Sequence, residues 1–317
     1  MKRIAFSLLL ILSAQGLFAQ EAAAQEQPDK SKGVSSSSGL TLQISTLPEA
    51  KLGFTQRFVF PFLQNENPLM ADNNIDLSLT GEVSPVSLNG IAEAVLTPIA
   101  FFQFSAGVRI GSGWNINLFG GDIYGIGFNK PDGQGMGEND GGAFDGLLWK
   151  AHAGGAIQFD LAALFPGDWN HVVARSYHEI NHRGYSRAQD GESWFYESDD
   201  GENVNGFNYY GNYLIGYQMP IFLDTVAFLA ESDLYLYDTP GRAAWGDDKI
   251  RWTFSAVLNF SIIKKFGITV ITQFRTRRNF NEPDSDSLYY RSRTLDASDP
   301  QRLEFYRVAA VFSYRFK

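Results

Sequence analysis

From Leu40 to the end of the chain, apolar and polar residues alternate with a period of two, the spacing that sends successive side chains to opposite faces of a β-strand. The last segment shows it best, with Tyr306, Val308, Ala310, Phe312, Tyr314 and Phe316 on one face and Arg307, Ala309, Val311, Ser313 and Arg315 on the other. In the same way Trp252, Phe254, Ala256, Leu258 and Phe260 oppose Arg251, Thr253, Ser255 and Asn259, and Phe102, Phe104, Ala106, Val108 and Ile110 oppose Gln103, Ser105 and Arg109. A soluble sandwich would bury its more aromatic face between two sheets. A stripe of apolar residues with aromatics near its ends instead suits the outside of a membrane-spanning barrel, with the charged face turned to water.

The pattern predicts an all-β fold, a transmembrane antiparallel up-and-down β-barrel of about twelve strands. They fall roughly at 40–46, 51–61, 74–83, 87–97, 101–111, 147–164, 171–184, 208–218, 226–237, 250–262, 267–279 and 304–317. From the third strand the connectors alternate in length: 98–100, 165–170, 219–225 and 263–266 are short, and 112–146, 185–207, 238–249 and 280–303 are long. Short turns inside and long loops outside are the outer-membrane pattern. The first quarter departs from it, with 62–73 long and 84–86 very short, which leaves the count open between ten and fourteen.

Ahead of the barrel, Met1-Lys2-Arg3, an apolar stretch from Ile4 to Ala14 and then small residues read as a secretory signal over 1–24, cleaved after Ala19 or Ala24. Residues 25–39 read as a flexible periplasmic linker, leaving 40–317 for the barrel. The chain has no cysteine, which removes a lipid anchor on a new N-terminus, disulfides and thiolate metal sites. The net charge of −9 becomes more negative once Lys2 and Arg3 leave with the signal, and argues against nucleic acid as a partner.

The alternate apolar positions that end in Tyr314 and Phe316 resemble the C-terminal β-signal by which outer-membrane barrels are recognised for insertion. Lys317 follows, where the usual pattern stops on the aromatic. The resemblance implies location in the bacterial outer membrane, contact with outer-membrane lipid, and the barrel-assembly machinery as a partner through the last strand. It covers the barrel class and names neither a single family nor a solute.

Facing the lumen, the same alternation places Arg109, Lys150, Asp160, Glu231, Asp233, Arg251, Arg275, Arg277, Arg307 and Arg315 as pore-lining candidates. Five of these arginines come from the last three strands, and Glu231 and Asp233 from the strand before them, so a basic wall abuts an acidic one. One reading is a set of ion pairs that satisfies charge in a confined interior. The other is a guanidinium ladder for anions. A porin-like channel for small, anionic solutes heads the functional readings. A non-conducting surface barrel is the alternative, its acidic loops at Asp190-Gly191-Glu192-Ser193-Trp194 and Asp199-Asp200-Gly201-Glu202-Asn203 binding external partners. Those loops do not match a calcium-loop spacing and read as solvated; no metal or cofactor is expected.

A second alternative is an enzyme. Twelve-stranded outer-membrane phospholipases carry a His-x-Ser pair followed by Asn on an outward-facing strand, and the segment from Arg175 to Ser186 holds those residue types. Here Ser176 and His178 stand in the reversed order, and His182 and Ser186 lie about 13 Å apart on an extended strand. The motif is absent, and no catalytic residue is expected. The polar residues on both faces of this segment read as a strand end rising into a wet loop, and His152 as a hydrogen-bonding group of the lumen.

Overall fold

The computed structural model describes residues 33–47, 49–118, 121–128, 143–197, 199, 202–237, 241–282, 291 and 293–316. In chain order the strands are β1 (Ser35–Ser45), β2 (Ala50–Pro61), β3 (Asn74–Ser84), β4 (Ser87–Ile99), β5 (Phe102–Gly113), β6 (Ile116–Leu118), β7 (Gly121–Ile123), β8 (Ile126–Phe128) and β9 (Leu148–Asp160). They continue as β10 (His171–Tyr185), β11 (Ser193–Tyr196), β12 (Asn203–Val204), β13 (Gly206–Gln218), β14 (Leu223–Tyr235), β15 (Arg251–Ile263), β16 (Phe266–Arg278) and β17 (Gln301–Arg315). Twelve of them close a single antiparallel barrel in the order β1-β17-β16-β15-β14-β13-β10-β9-β5-β4-β3-β2. The seam joins first and last, with Leu42 opposite Phe312 and Gly39 opposite Arg315. Closure leaves no strand edge, which is what hydrocarbon requires of backbone that cannot bond water.

The count is twelve, and several bounds differ from the pattern. β1 begins at Ser35, so the serine run assigned to the linker is strand: Ser35 to Ser38 pair with Val59 to Gln56 of β2. A formed neighbour offers backbone partners to any side chain, and composition alone does not register that. β9 stops at Asp160, where the pattern ran on to 164. The Asp160 side chain accepts the Ala162 N–H at 3.0 Å and turns the chain into a short 3-10 helix, Leu161–Ala163. The long connector 62–73 is a built turn, its Asn73 side chain donating to the Pro98 carbonyl at 2.6 Å, and Ser84 and Ser87 pair directly across a tight hairpin.

Polarity is inverted relative to a soluble protein. Leu52, Phe54, Leu79, Phe104, Val108, Ile157, Ile215 and Phe228 are exposed, while Asp76, Gln103, Gln158, Glu179, Asn212, Gln273 and Arg307 are buried. One predicted facing is wrong. A bulge in the β16–β17 ladder lets both Tyr306 and Arg307 oppose Gln273, so Phe305 and Leu303 take the outside and Tyr306 turns into the lumen.

Inside, Ala227, Leu229, Val257, Ile271 and Val311, with Leu214 against them, form an apolar layer on the β13–β17 wall. At the end that carries the long loops, β8, β11 and β12 make a small sheet, with Trp194 opposite Phe128 and Tyr196 opposite Ile126. Ile126, Leu148, Tyr185, Trp194 and Tyr196 pack into its core. The first loop read as solvated is therefore in part a buried structure, with Trp194 only 1% exposed. Burial is earned by the aromatics that its acidic composition conceals.

Candidate functional site

Between the apolar layer and the loops lies a cavity of about 280 Å³. β14 brings Glu231 and Asp233 to it, β15 Arg251, β16 Gln273, Arg275, Arg277 and Arg278, and β17 Tyr306 and Arg307, while β13 adds Tyr210 and the loop before β12 adds Glu202. The alternation explains most of this, since every second residue of neighbouring strands shares the inner face. Five guanidinium groups face three carboxylates around the cavity.

The charges are arranged in pairs. Asp233 takes Arg183 at 3.0 Å and Arg251 beside it, and both guanidiniums lie over the Tyr235 ring, at 5.1 and 4.4 Å. Glu304 holds Arg275 at 3.1 Å and Arg277 at 3.9 Å. Arg275 also stacks on Tyr306 at 4.1 Å, with Arg307 at 4.9 Å from the same ring. Arg307 donates to Gln273 at 2.6 Å and to Glu49 in the β1–β2 turn. Tyr210 donates its hydroxyl to Glu231 at 2.5 Å. Arg277 is the most open of the cavity's ion-paired cations, with 41% of its side chain exposed, against 4% for Arg307 and 2% for Arg278.

The structure thus gathers Glu231, Asp233, Arg251, Arg275, Arg277 and Arg307 at one place. It does not bring the other candidates there. Arg109 pairs with Glu82, and Lys150 with Glu179 at 2.8 Å, on the opposite arc of the wall. Asp160 sits at the short-turn end, where it receives His171 at 2.7 Å. Arg315 is buried at the same end, beside the seam. His152 faces inward in the space left by Gly107, and its Nε2 has no hydrogen-bond partner among the described residues. Sequence reasoning missed Arg278, which strict alternation sends outward, and Glu202, which a loop delivers without any periodicity to betray it. Tyr210 was missed as well, although its phase with Asn208 and Asn212 on β13 could have placed it inside.

The loop end is pinned across the barrel. Glu197, at the end of β11, accepts from Lys51 at 2.7 Å and from the Ser87 hydroxyl at 2.5 Å, and the Tyr196 hydroxyl donates to Asn89 at 2.9 Å. β2, which carries Lys51, stands five places round the wall from β10, where the loop begins. Burial raises the Glu197 carboxyl, but the Lys51 ammonium and the Ser87 hydroxyl outweigh it and hold the group below its ordinary value of 4.5. On the other arc, Arg278 binds Asp247 and, at 3.0 Å, Glu202.

At the seam, Tyr314 and Phe316 meet edge to face at 5.3 Å, both rings exposed, and the Phe316 N–H bonds the Ser38 carbonyl at 3.0 Å. Lys317 and the proposed signal, 1–24, lie outside the described residues.

Neither a protein family nor a curated protein matches the chain. Among solved structures it is similar to the KdgM porin, at 12% identity and a TM-score of 0.37 over 89% of this chain and 100% of that one. It is also similar to CdiB from Acinetobacter baumannii, at 8% identity and 0.37 over 90% and 60%, and to the TodX deltaS2S3 mutant monoaromatic hydrocarbon channel, at 10% and 0.30 over 94% and 92%. Likeness at this level assigns no solute. The chain's own geometry, a closed twelve-strand wall that is apolar outside and polar inside, is that of a membrane-spanning barrel of the outer-membrane class.

Proposed function

We propose that this barrel is an outer-membrane channel that favours small anionic solutes, with its short turns in the periplasm and its long loops at the cell surface. The observation that carries the reading is the cavity on the β14–β17 wall, lined by five guanidinium groups of which Arg277 is the most open. Rings and ladders of Arg are the usual means of selecting anions. An anion that enters from the loop end meets Arg277 first among the open cations, and its charge competes with Glu304 for Arg275 and Arg277. Exchange of Glu304 for the incoming anion keeps the guanidiniums satisfied throughout, so no bare charge is left in a confined space. In this reading the luminal groups bind and pass charge and break no bond.

The test is conductance of the refolded protein in planar bilayers under a salt gradient, with the sign of the reversal potential reporting anion preference. A cation-selective pore would remove the anionic part of the proposal. A folded barrel with no discrete conductance would move the function to the surface. The folded β8–β11–β12 sheet and its aromatic core favour that second reading, in which the loops bind external partners.

A further inference from the structure

On the outer face of β10, in phase with the exposed Val172 and Ile180, stand Ser176 and His178. The Ser176 Oγ and the His178 Nε2 lie 3.0 Å apart, and the His178 Nδ1 lies 2.7 Å from the Tyr209 hydroxyl on β13. Gly211 is the register partner of His178, and Tyr213 that of Ser176. The absent side chain at Gly211 is what lets the two tyrosines bend together. A Cβ there would lie 2.9 Å from both hydroxyls, which themselves meet at 3.2 Å. The order is the reverse of the phospholipase motif, but a hydrogen-bonded chain depends on separation and not on direction along the strand.

We propose that Ser176, His178 and Tyr209 form a lipid-facing acyl-ester hydrolase on the outside of the barrel. Polar groups on a lipid-facing wall are costly, and these sit in a belt of aromatics, with Tyr213 6.1 Å from Trp252 and Trp149 stacked on His182. Such belts mark the head-group level, where the ester bonds of phospholipids lie. With the Nδ1 proton donated to Tyr209, Nε2 accepts the Ser176 proton as Oγ attacks the ester carbonyl. The new C–O bond forms an acyl-serine, the bond to glycerol breaks, and the departing alkoxide takes the proton from His178. Water then repeats the sequence, returning the proton to Ser176 and releasing a fatty acid. Strand amides are spent on the β10–β13 ladder, so the oxyanion needs a side-chain donor, and Tyr213, the register partner of Ser176, carries the hydroxyl on the neighbouring strand.

The experiment is fatty-acid release from phosphatidylethanolamine–phosphatidylglycerol vesicles holding the refolded chain, alongside labelling with a fluorophosphonate. Release by the wild type, with label on Ser176, is expected. Ser176→Ala and His178→Asn are expected to lower release by roughly 10²-fold or more. Tyr209→Phe, which keeps the ring as a positioning group without its hydroxyl, is expected to lower kcat at unchanged KM and to shift the acid limb of the pH profile. No release from folded wild type overturns the proposal whatever the label does, as does full release by folded Ser176→Ala.

Discussion

Glu197 and Lys51 meet at 2.7 Å although 146 positions separate them along the chain. One belongs to a loop and the other to the far wall, so this contact ties the loop across the barrel's loop end.

The contact sets a pH dependence. The Glu197 carboxyl is held below 4.5 in the folded loop, so its contribution is complete above that value and is lost as pH falls through the lower, folded one. Trypsin cleavage at Arg187 in the same loop is expected to be slow at neutral pH, and the near-ultraviolet circular dichroism of the packed loop aromatics to weaken as pH falls below 4.5. Glu197→Gln should bring the acid behaviour to neutral pH, weakening the anchor by about 1–3 kcal/mol. Equal cleavage of wild type and variant at neutral pH would show that the loop is held by its aromatic core alone.

Glu304 is predicted to restrain the arginines it holds. Glu304→Gln should shift the reversal potential further toward anions, and Arg277→Gln toward cations, since each changes the net charge around the cavity by one unit in opposite senses. Shifts of the same sign in both variants would place the selectivity elsewhere.

Facing can be tested on β14. Phe228 is 49% exposed and stacks at 16° on Phe254, so Phe228→Arg puts a charge among lipid and should cost about 2–4 kcal/mol if it lies near the midplane. Thr80→Arg, on the inner face of β3, should cost less. Urea unfolding in lipid vesicles, followed by heat-modifiable mobility, gives both values.

Loss of the last strand is expected to abolish assembly. Deleting 304–317 leaves β1 and β16 with open backbone in hydrocarbon, and Phe316→Ala should slow insertion more mildly. Normally folded, heat-modifiable protein in the outer membrane after the deletion would contradict the prediction.

Much of the wall was legible because a closed barrel permits few exceptions to a period of two. Leu258 faces out and Arg307 faces in as their parity requires, and the gathering of Arg251, Arg275, Arg277 and Arg307 follows from strand adjacency. What failed has physical causes. Tyr306 changed face because a bulge inserts one residue without any compositional mark. Ser35 to Ser38 became strand because β2 supplied the partners. Glu197 and Glu202 reached the lumen through folded loops, where spacing carries no information about the far side. The Ser176–His178 contact was visible as a spacing, whereas Tyr209 needed the register of β13 to appear.

The Arg307–Glu49 pair at the seam spans 258 positions, nearly the whole barrel. Contacts of such separation cannot form while the chain is still being made, and each costs loop-closure entropy that only the finished ring repays. Folding of this protein is therefore expected to be slow and all-or-none, with the N-terminal hairpin waiting, incomplete, for the last residues to arrive.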